Sequence, residues 1–221
     1  MAFQRARSEE QVQRRIDEII DSAMIIYDQQ GYEEVTFSKI SEMTKFTRPT
    51  IYKYFSTKEE VLLKILTMDI GRWTTRLIGS FKINKLYTIR DICHIWGNSV
   101  IENRRLLGLF SILFTIIEKN VSKEALVDFK TSIFSYQSAL ADLMSQLMPN
   151  LTQEQISYFL NAQLTIALGL YPMCNLTPLQ MEAIALSNIN HATPAFVDEY
   201  KKNIYHILYC LDKNIEFTQE M

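Results

Sequence analysis

The residue types best suited to chemistry gather in one short stretch, VTFSKISEMTKFTRPTIYKYFSTKEEVL, residues 35–62. Within residues 36–58, Lys39, Lys45, Arg48, Lys53 and Lys58 face one acid, Glu42, for a local charge of +4. Such a concentration suits the oriented approach of a polyanion. Arg48 offers two parallel donors that match O6 and N7 of guanine, a pairing that gives about 1–3 kcal/mol of discrimination between bases. Lys53 can read the same edge or hold a phosphate. Thr50 brings a hydroxyl and a methyl, and Pro49 an apolar surface for a thymine methyl. Tyr52 has a rigid phenol whose hydroxyl suits a backbone phosphate. Lys58 stands beside Ser56, where the free amides of a helix start and an ammonium can hold a phosphate together. Thr36 and Ser38 can serve the same way one helix earlier.

These side chains need elements that aim them outward. Thr36 or Ser38 caps a short helix that buries Phe37, Ile40 and Met43; Lys45 and Phe46 form a turn. Thr47 then caps a second short helix, near 48–54, with Pro49 tolerated in its first turn. Ile51, Tyr54 and Phe55 fall on one side of it and face the core. Pro49, Thr50, Tyr52 and Lys53 fall on the other, with Arg48 at the tip. Two short helices, a tight turn and a cationic outer face make a helix-turn-helix, which lays its second helix in the DNA major groove.

The rest of the chain is also helical by periodicity. Val12, Ile16, Ile19, Ile20, Ala23 and Tyr27 form one apolar stripe, with Ser8 and Gln11 as a capping box and Gly31 as the stop. Ser56 with Glu59, Thr152 with Gln155, Thr177 with Pro178 and Gln180, and Thr193 with Pro194 are further start signals. The pattern predicts helices near 9–30, 38–44, 48–54, 57–80, 88–104, 106–119, 123–148, 153–175, 178–189 and 195–213, and no sheet. The character changes near residue 66, which divides an N-terminal domain of residues 1–66 from a larger helical domain of residues 67–221.

Composition narrows the field. The 221 residues carry a formal charge of −2 and 48% hydrophobic residues, an ordinary soluble globular balance. Six Gly and five Pro are too few for a turn-rich β-sandwich. Three separated Cys (Cys93, Cys174, Cys210) give neither a disulfide framework nor a metal pair, which points to a reducing, cytoplasmic setting. The N-terminus lacks the apolar core of a signal peptide. His94, His191 and His206 show neither HxH nor HExxH spacing, and no G-x-S-x-G or phosphate loop appears. The expectation is no enzyme, no metal and no cofactor.

The same segment resembles a family. Thr36-Phe37, Ile40, Phe46, Thr47, Pro49-Thr50-Ile51-Tyr52, Phe55, Lys58-Glu59-Glu60 and Leu62 look like the N-terminal signature of the tetracycline-repressor (TetR) family, and TIYKYFSTKEEVL is its most specific run. The resemblance spans residues 10–66. Lys45 stands where the family commonly has Gly, and Ser41 and Thr44 where it has small residues. A left-handed Lys45 would cost about 1 kcal/mol. The resemblance implies an all-helical homodimer that binds a palindromic double-stranded DNA operator, usually represses, and releases DNA when a small-molecule effector enters the C-terminal domain.

That domain is unusual in charge. Residues 131–197 hold no Lys or Arg and only Asp142, Glu154 and Glu182. Polar residues such as Gln155, Asn161, Gln163 and Thr165 argue against a membrane span. Burial on several sides with partner contact on one fits better. Helices 153–175 and 195–213 paired with their symmetry mates give a four-helix dimer interface, in which Leu164 and Leu208 are expected to lie. Aromatic side chains are dense here. Trp96, Phe110, Phe114, Phe134 and Tyr171, with His94, Asn161 and Gln163 as polar anchors, are the candidate lining of a ligand pocket. The expected function is that of a ligand-responsive transcriptional regulator, a repressor released by a largely apolar effector. The alternative is a helical small-molecule or protein-binding module without sequence-specific DNA binding.

Overall fold

The computed structural model describes residues 2–82, 84–187 and 193–215, and His191 and the last part of the helix expected at 178–189 lie outside them. Among the described residues the regular elements are all helical: α1 (Ala2–Gln30), α2 (Phe37–Met43), α3 (Arg48–Ile51), α4 (Lys58–Gly79), α5 (Ile89–Ile101), α6 (Arg104–Leu113), α7 (Lys123–Leu147), α8 (Gln153–Cys174), α9 (Pro178–Leu186) and α10 (Phe196–Asp212), with a 3₁₀ turn at Ile117–Lys119. The chain forms two compact units, Met1–Met68 with Ile112–Ser132, and Asp69–Ser111 with Ile133–Met221.

In the first unit α1 runs past its expected start. Ser8 lies inside it, because residues 2–7 hold Ala, Gln and Arg, good helix formers, and no breaker. Its end is as expected. Gly31 adopts φ +87° and its amide bonds to the Tyr27 carbonyl at 2.9 Å, a left-handed stop that suits glycine. Ile19, Ile20 and Ala23 of α1 are buried, as are Phe37 and Ile40 of α2, Ile51 of α3 and Leu62, Ile65 and Leu66 of α4. The cap of α4 lies one residue later than read. Thr57, not Ser56, accepts from the Glu60 amide at 3.2 Å, and the Glu60 carboxylate accepts from the Ser56 amide at 2.6 Å. Its other oxygen accepts from the Ser122 amide at 3.1 Å, which ties the start of α4 to the Ile112–Ser132 segment of the same unit.

In the second unit α10 packs on α5 and α8. Phe196, Tyr200, Ile204 and Leu208 repeat every four residues and form the buried face of α10. Leu208 is therefore a core residue and not an interface one, whereas Leu164 is partly exposed. Thr152 and Thr177 form capping boxes as expected, but α10 starts from Ala195 without a side-chain cap, so Thr193 does not start it. Asp69 is buried and receives two bonds from Arg105, at 2.7 and 3.0 Å. α9 is apolar yet buries none of its residues, and Leu179 and Leu186 are 75% and 76% exposed.

Candidate nucleic-acid interface

The site is built on α2, the turn and α3. Thr36 has extended backbone and its hydroxyl accepts from the Lys39 amide at 3.3 Å, which opens α2. The turn is closed by a threonine. Thr44 donates its hydroxyl to the Ile40 carbonyl at 2.9 Å and accepts from the Phe46 amide at 3.3 Å. Left-handed residues among those described are Gly31, Asn84 and Asn214, so Lys45 bears no such strain. The expected cost is absent because Thr44, extended at φ −110° and ψ 174°, redirects the chain before Lys45.

α3 is one turn long, with Pro49 in its first turn, and it continues as a looser turn through residues 52–54. Thr47 offers no side-chain cap; its hydroxyl sits 3.0 Å from that of Thr50, while its carbonyl receives the Thr50 and Ile51 amides at 2.8 and 3.1 Å. Ile51 is fully buried and Phe55 nearly so, and they seat α3. Tyr54, expected in the core, is half-buried because its hydroxyl reaches the Arg15 guanidinium at 3.3 Å. Met43, also expected in the core, ends α2 and is 48% exposed.

The proposed DNA-contacting residues divide into two groups. Arg48, Pro49, Tyr52 and Lys53 are exposed and Thr50 is partly so, all on one short surface. Tyr52 leans its ring edge-on against Phe37, with centroids 4.8 Å apart, which fixes the direction of its hydroxyl. Thr36 is exposed and Ser38 partly exposed at the start of α2. Lys58 is already engaged. Its ammonium lies 3.9 Å over the Tyr32 ring and donates to the Tyr32 carbonyl at 3.2 Å. Tyr32 in turn donates to Glu59 at 2.6 Å, and burial together with that carboxylate pushes its phenol pKa up. Lys39 is held by Glu34 and by Gln30. Of the five cations in residues 36–58, Lys45, Arg48 and Lys53 are left exposed and unpaired among the described residues. They lie on the turn, α3 and the looser turn after it, and the one acid within residues 36–58 is Glu42. Sequence reasoning missed this sorting, since the partners of Lys39 and Lys58 come from the exit of α1.

The proposed pocket residues are not gathered in one place. Trp96 and Gln163 are buried together: Trp96 Nε1 lies 3.4 Å from Gln163 Oε1, to which the Tyr200 hydroxyl donates at 2.5 Å. Trp73 and Phe159 stand edge-on to Trp96. Phe110 is half-buried, as is Tyr171, which sits edge-on to Phe196. His94 is exposed and bonded to Asn98; Asn161 and Phe134 are also exposed. Phe114 belongs to the first unit, where it is exposed near the Lys130 ammonium. The unanticipated residue is Tyr200, fully buried, whose hydroxyl completes the Gln163 bonds.

An all-helical chain that presents unpaired cations on the second helix of a helix-turn-helix is of the class of DNA-binding regulators. Comparison with known proteins agrees. Residues 19–65 match the bacterial regulatory proteins of the tetR family, and residues 67–209 the tetracyclin repressor-like C-terminal domain. The chain belongs to the TetR family of transcriptional regulators. It is 27% identical over 112 residues to the HTH-type transcriptional regulator AcrR of Shigella flexneri, covering 49% of this chain and 52% of that protein. It is 31% identical over 65 residues to the fatty acid metabolism regulator protein of Bacillus subtilis strain 168, covering 29% and 34%. The chain thus aligns with about half the length of the first relative and a third of the second. Thermus thermophilus FadR, a TetR-family repressor solved with lauroyl-CoA, superposes with a TM-score of 0.59 at 14% identity, covering 92% of this chain and 96% of that one. A TetR variant from Acinetobacter baumannii solved with minocycline gives 0.57 at 13%, covering 90% and 97%. At such identities these structures speak for the fold alone. No helix among the described residues is long and apolar enough to cross a membrane.

Proposed function

We propose that the protein is a cytoplasmic, dimeric repressor that binds a palindromic operator and leaves it when a small, largely apolar effector binds the second part of the chain. The observation that carries the reading is the exposed, unpaired Lys45–Arg48–Lys53 group on a surface fixed by buried Ile51 and Phe55. In this reading Arg48, Pro49, Thr50 and Lys53 contact bases, and Thr36, Ser38, Tyr52 and Lys58 contact phosphates; Lys58 does so by leaving Tyr32. Residues 1–66 form the DNA-binding part and residues 67–221 the part that dimerises and takes the effector. The exposed faces of α8 and α10 and the uncovered apolar surface of α9 support a second copy as partner.

For the effector, the aromatic surroundings of Trp96, Gln163, Phe110 and Tyr171 support an apolar ligand in the second unit. His94, Phe134 and Asn161 would then lie at its entrance, whereas Phe114, a residue of the first unit, is no part of it. The effector shifts DNA binding only by its differential affinity for the two states, typically 1–3 kcal/mol or roughly 5–150-fold. DNA selected from a random pool tests the first claim: a palindromic consensus supports it, and an unenriched pool refutes it. Lauroyl-CoA and minocycline are the first compounds to titrate, with and without operator, by Trp73 and Trp96 fluorescence.

A further inference from the structure

A cationic hollow runs between α5 and α10 in the second unit. One part, of about 430 Å³, is lined by Thr88, Ile89, Arg90, Tyr205, Tyr209, Asp212 and Lys213. The other, of about 240 Å³, is lined by Arg90, Cys93, His94, Lys201, Lys202 and Tyr205, without an acid. Arg90 and Tyr205 border both, so the two parts are neighbours.

The lining is more ordered than a scatter of surface charges. Gly97 of α5 lets the Lys201 stem lie across the helix: a methyl at that position would stand 2.5 Å from Lys201 Cγ. The Tyr205 and Tyr209 rings are nearly parallel, at 20° and 6.1 Å, and make an aromatic wall. Asp212, the one acid of the lining, is neutralised by Lys213 at 2.9 Å and bonded by Asn150 at 2.7 Å; these bonds hold its carboxyl below the usual range. Asp91 is taken up by the Thr88 cap, and Asp198, a turn earlier on α10, is not part of the lining. Arg90, Lys201 and Lys202 therefore converge without an acid partner among the described residues. Lys201 is also the first Lys or Arg after Lys130 in the chain.

Convergent ammonium and guanidinium groups take phosphate oxygens, and a tyrosine wall takes a planar ring. We propose that this hollow binds a small phosphorylated ligand with an aromatic ring, of the nucleoside polyphosphate class. The site is independent of the DNA-binding reading. Titration calorimetry of the full-length protein with ADP, at low salt and without divalent metal, tests it. The expected result is saturable binding of one ADP per chain, with pyrophosphate and adenosine each at least about tenfold weaker. Arg90→Gln and Lys201→Gln, both at exposed or half-exposed positions, are each expected to weaken ADP about tenfold with unchanged circular dichroism. Tyr209→Ala is expected to weaken ADP and leave pyrophosphate unaffected. Absence of saturable ADP binding at millimolar concentration overturns the proposal. So does ADP affinity unchanged in both cation variants, or pyrophosphate binding as tightly as ADP.

Discussion

At the scale of single residues, the surroundings of each charge decide what it is free to do. Lys39 and Lys58 look alike in sequence, but Lys39 is gripped by an acid and an amide, whereas Lys58 rests on a ring and a carbonyl. A phosphate competes more easily with the second arrangement. Lys58→Ala is therefore expected to lower affinity for all DNA sequences and to flatten the log–log salt dependence by about 0.9. Lys39→Ala is expected to leave the slope unchanged, and salt titrations of the two variants compare them. Glu60 gives a second prediction. Burial alone would raise its pKa, but bonds from Ser122, Ser56 and Thr57 outweigh it and hold the carboxyl low. With its folded pKa depressed, its stabilising effect is full above the unfolded value of about 4.3 and is lost as pH falls through the folded value. Glu60→Gln is expected to cost about 1–3 kcal/mol at neutral pH, with the gap to wild type closing below about pH 4. Urea unfolding at several pH values measures it.

At the scale of elements, the buried Gln163 joins α5, α8 and α10 by accepting at Trp96 and Tyr200 and donating to the Leu160 carbonyl at 3.0 Å. Gln163→Leu strands two buried donors and is expected to cost about 2–4 kcal/mol, while Tyr200→Phe removes a donor along with its bond and costs about 1 kcal/mol. Denaturant midpoints for the two variants check the order. These elements were largely readable from sequence, because helix stripes, Gly31, Thr152 and Thr177 are local signals. The α2–α3 motif was readable for the same reason, as Thr36, Pro49 and Ile51 act within a few residues. What escaped was set by distant partners. The Ser122 amide shares Glu60 with the start of α4, the Arg15 guanidinium draws Tyr54 outward, and Tyr200 claims Gln163. Aromatic density marked the second unit as rich in rings, but only packing sorts buried Trp96 from exposed Phe134.

At the scale of the whole molecule, a chain of net charge −2 approaches DNA by a local patch rather than by its average. A dimer brings two such patches, and its symmetry requires a palindromic site. Light scattering is expected to give about twice the chain mass of 25.8 kDa. Leu164→Arg, on the partly exposed side of α8, is expected to yield monomers. The central claim is that the tip of α3 reads bases. Its most direct test is the affinity of wild type and Arg48→Ala for a selected operator and for operators changed one base pair at a time. The expected result is that Arg48→Ala loses about 1–3 kcal/mol of discrimination at one base pair per half-site and keeps it elsewhere. Equal weakening of every sequence by Arg48→Ala would contradict the account.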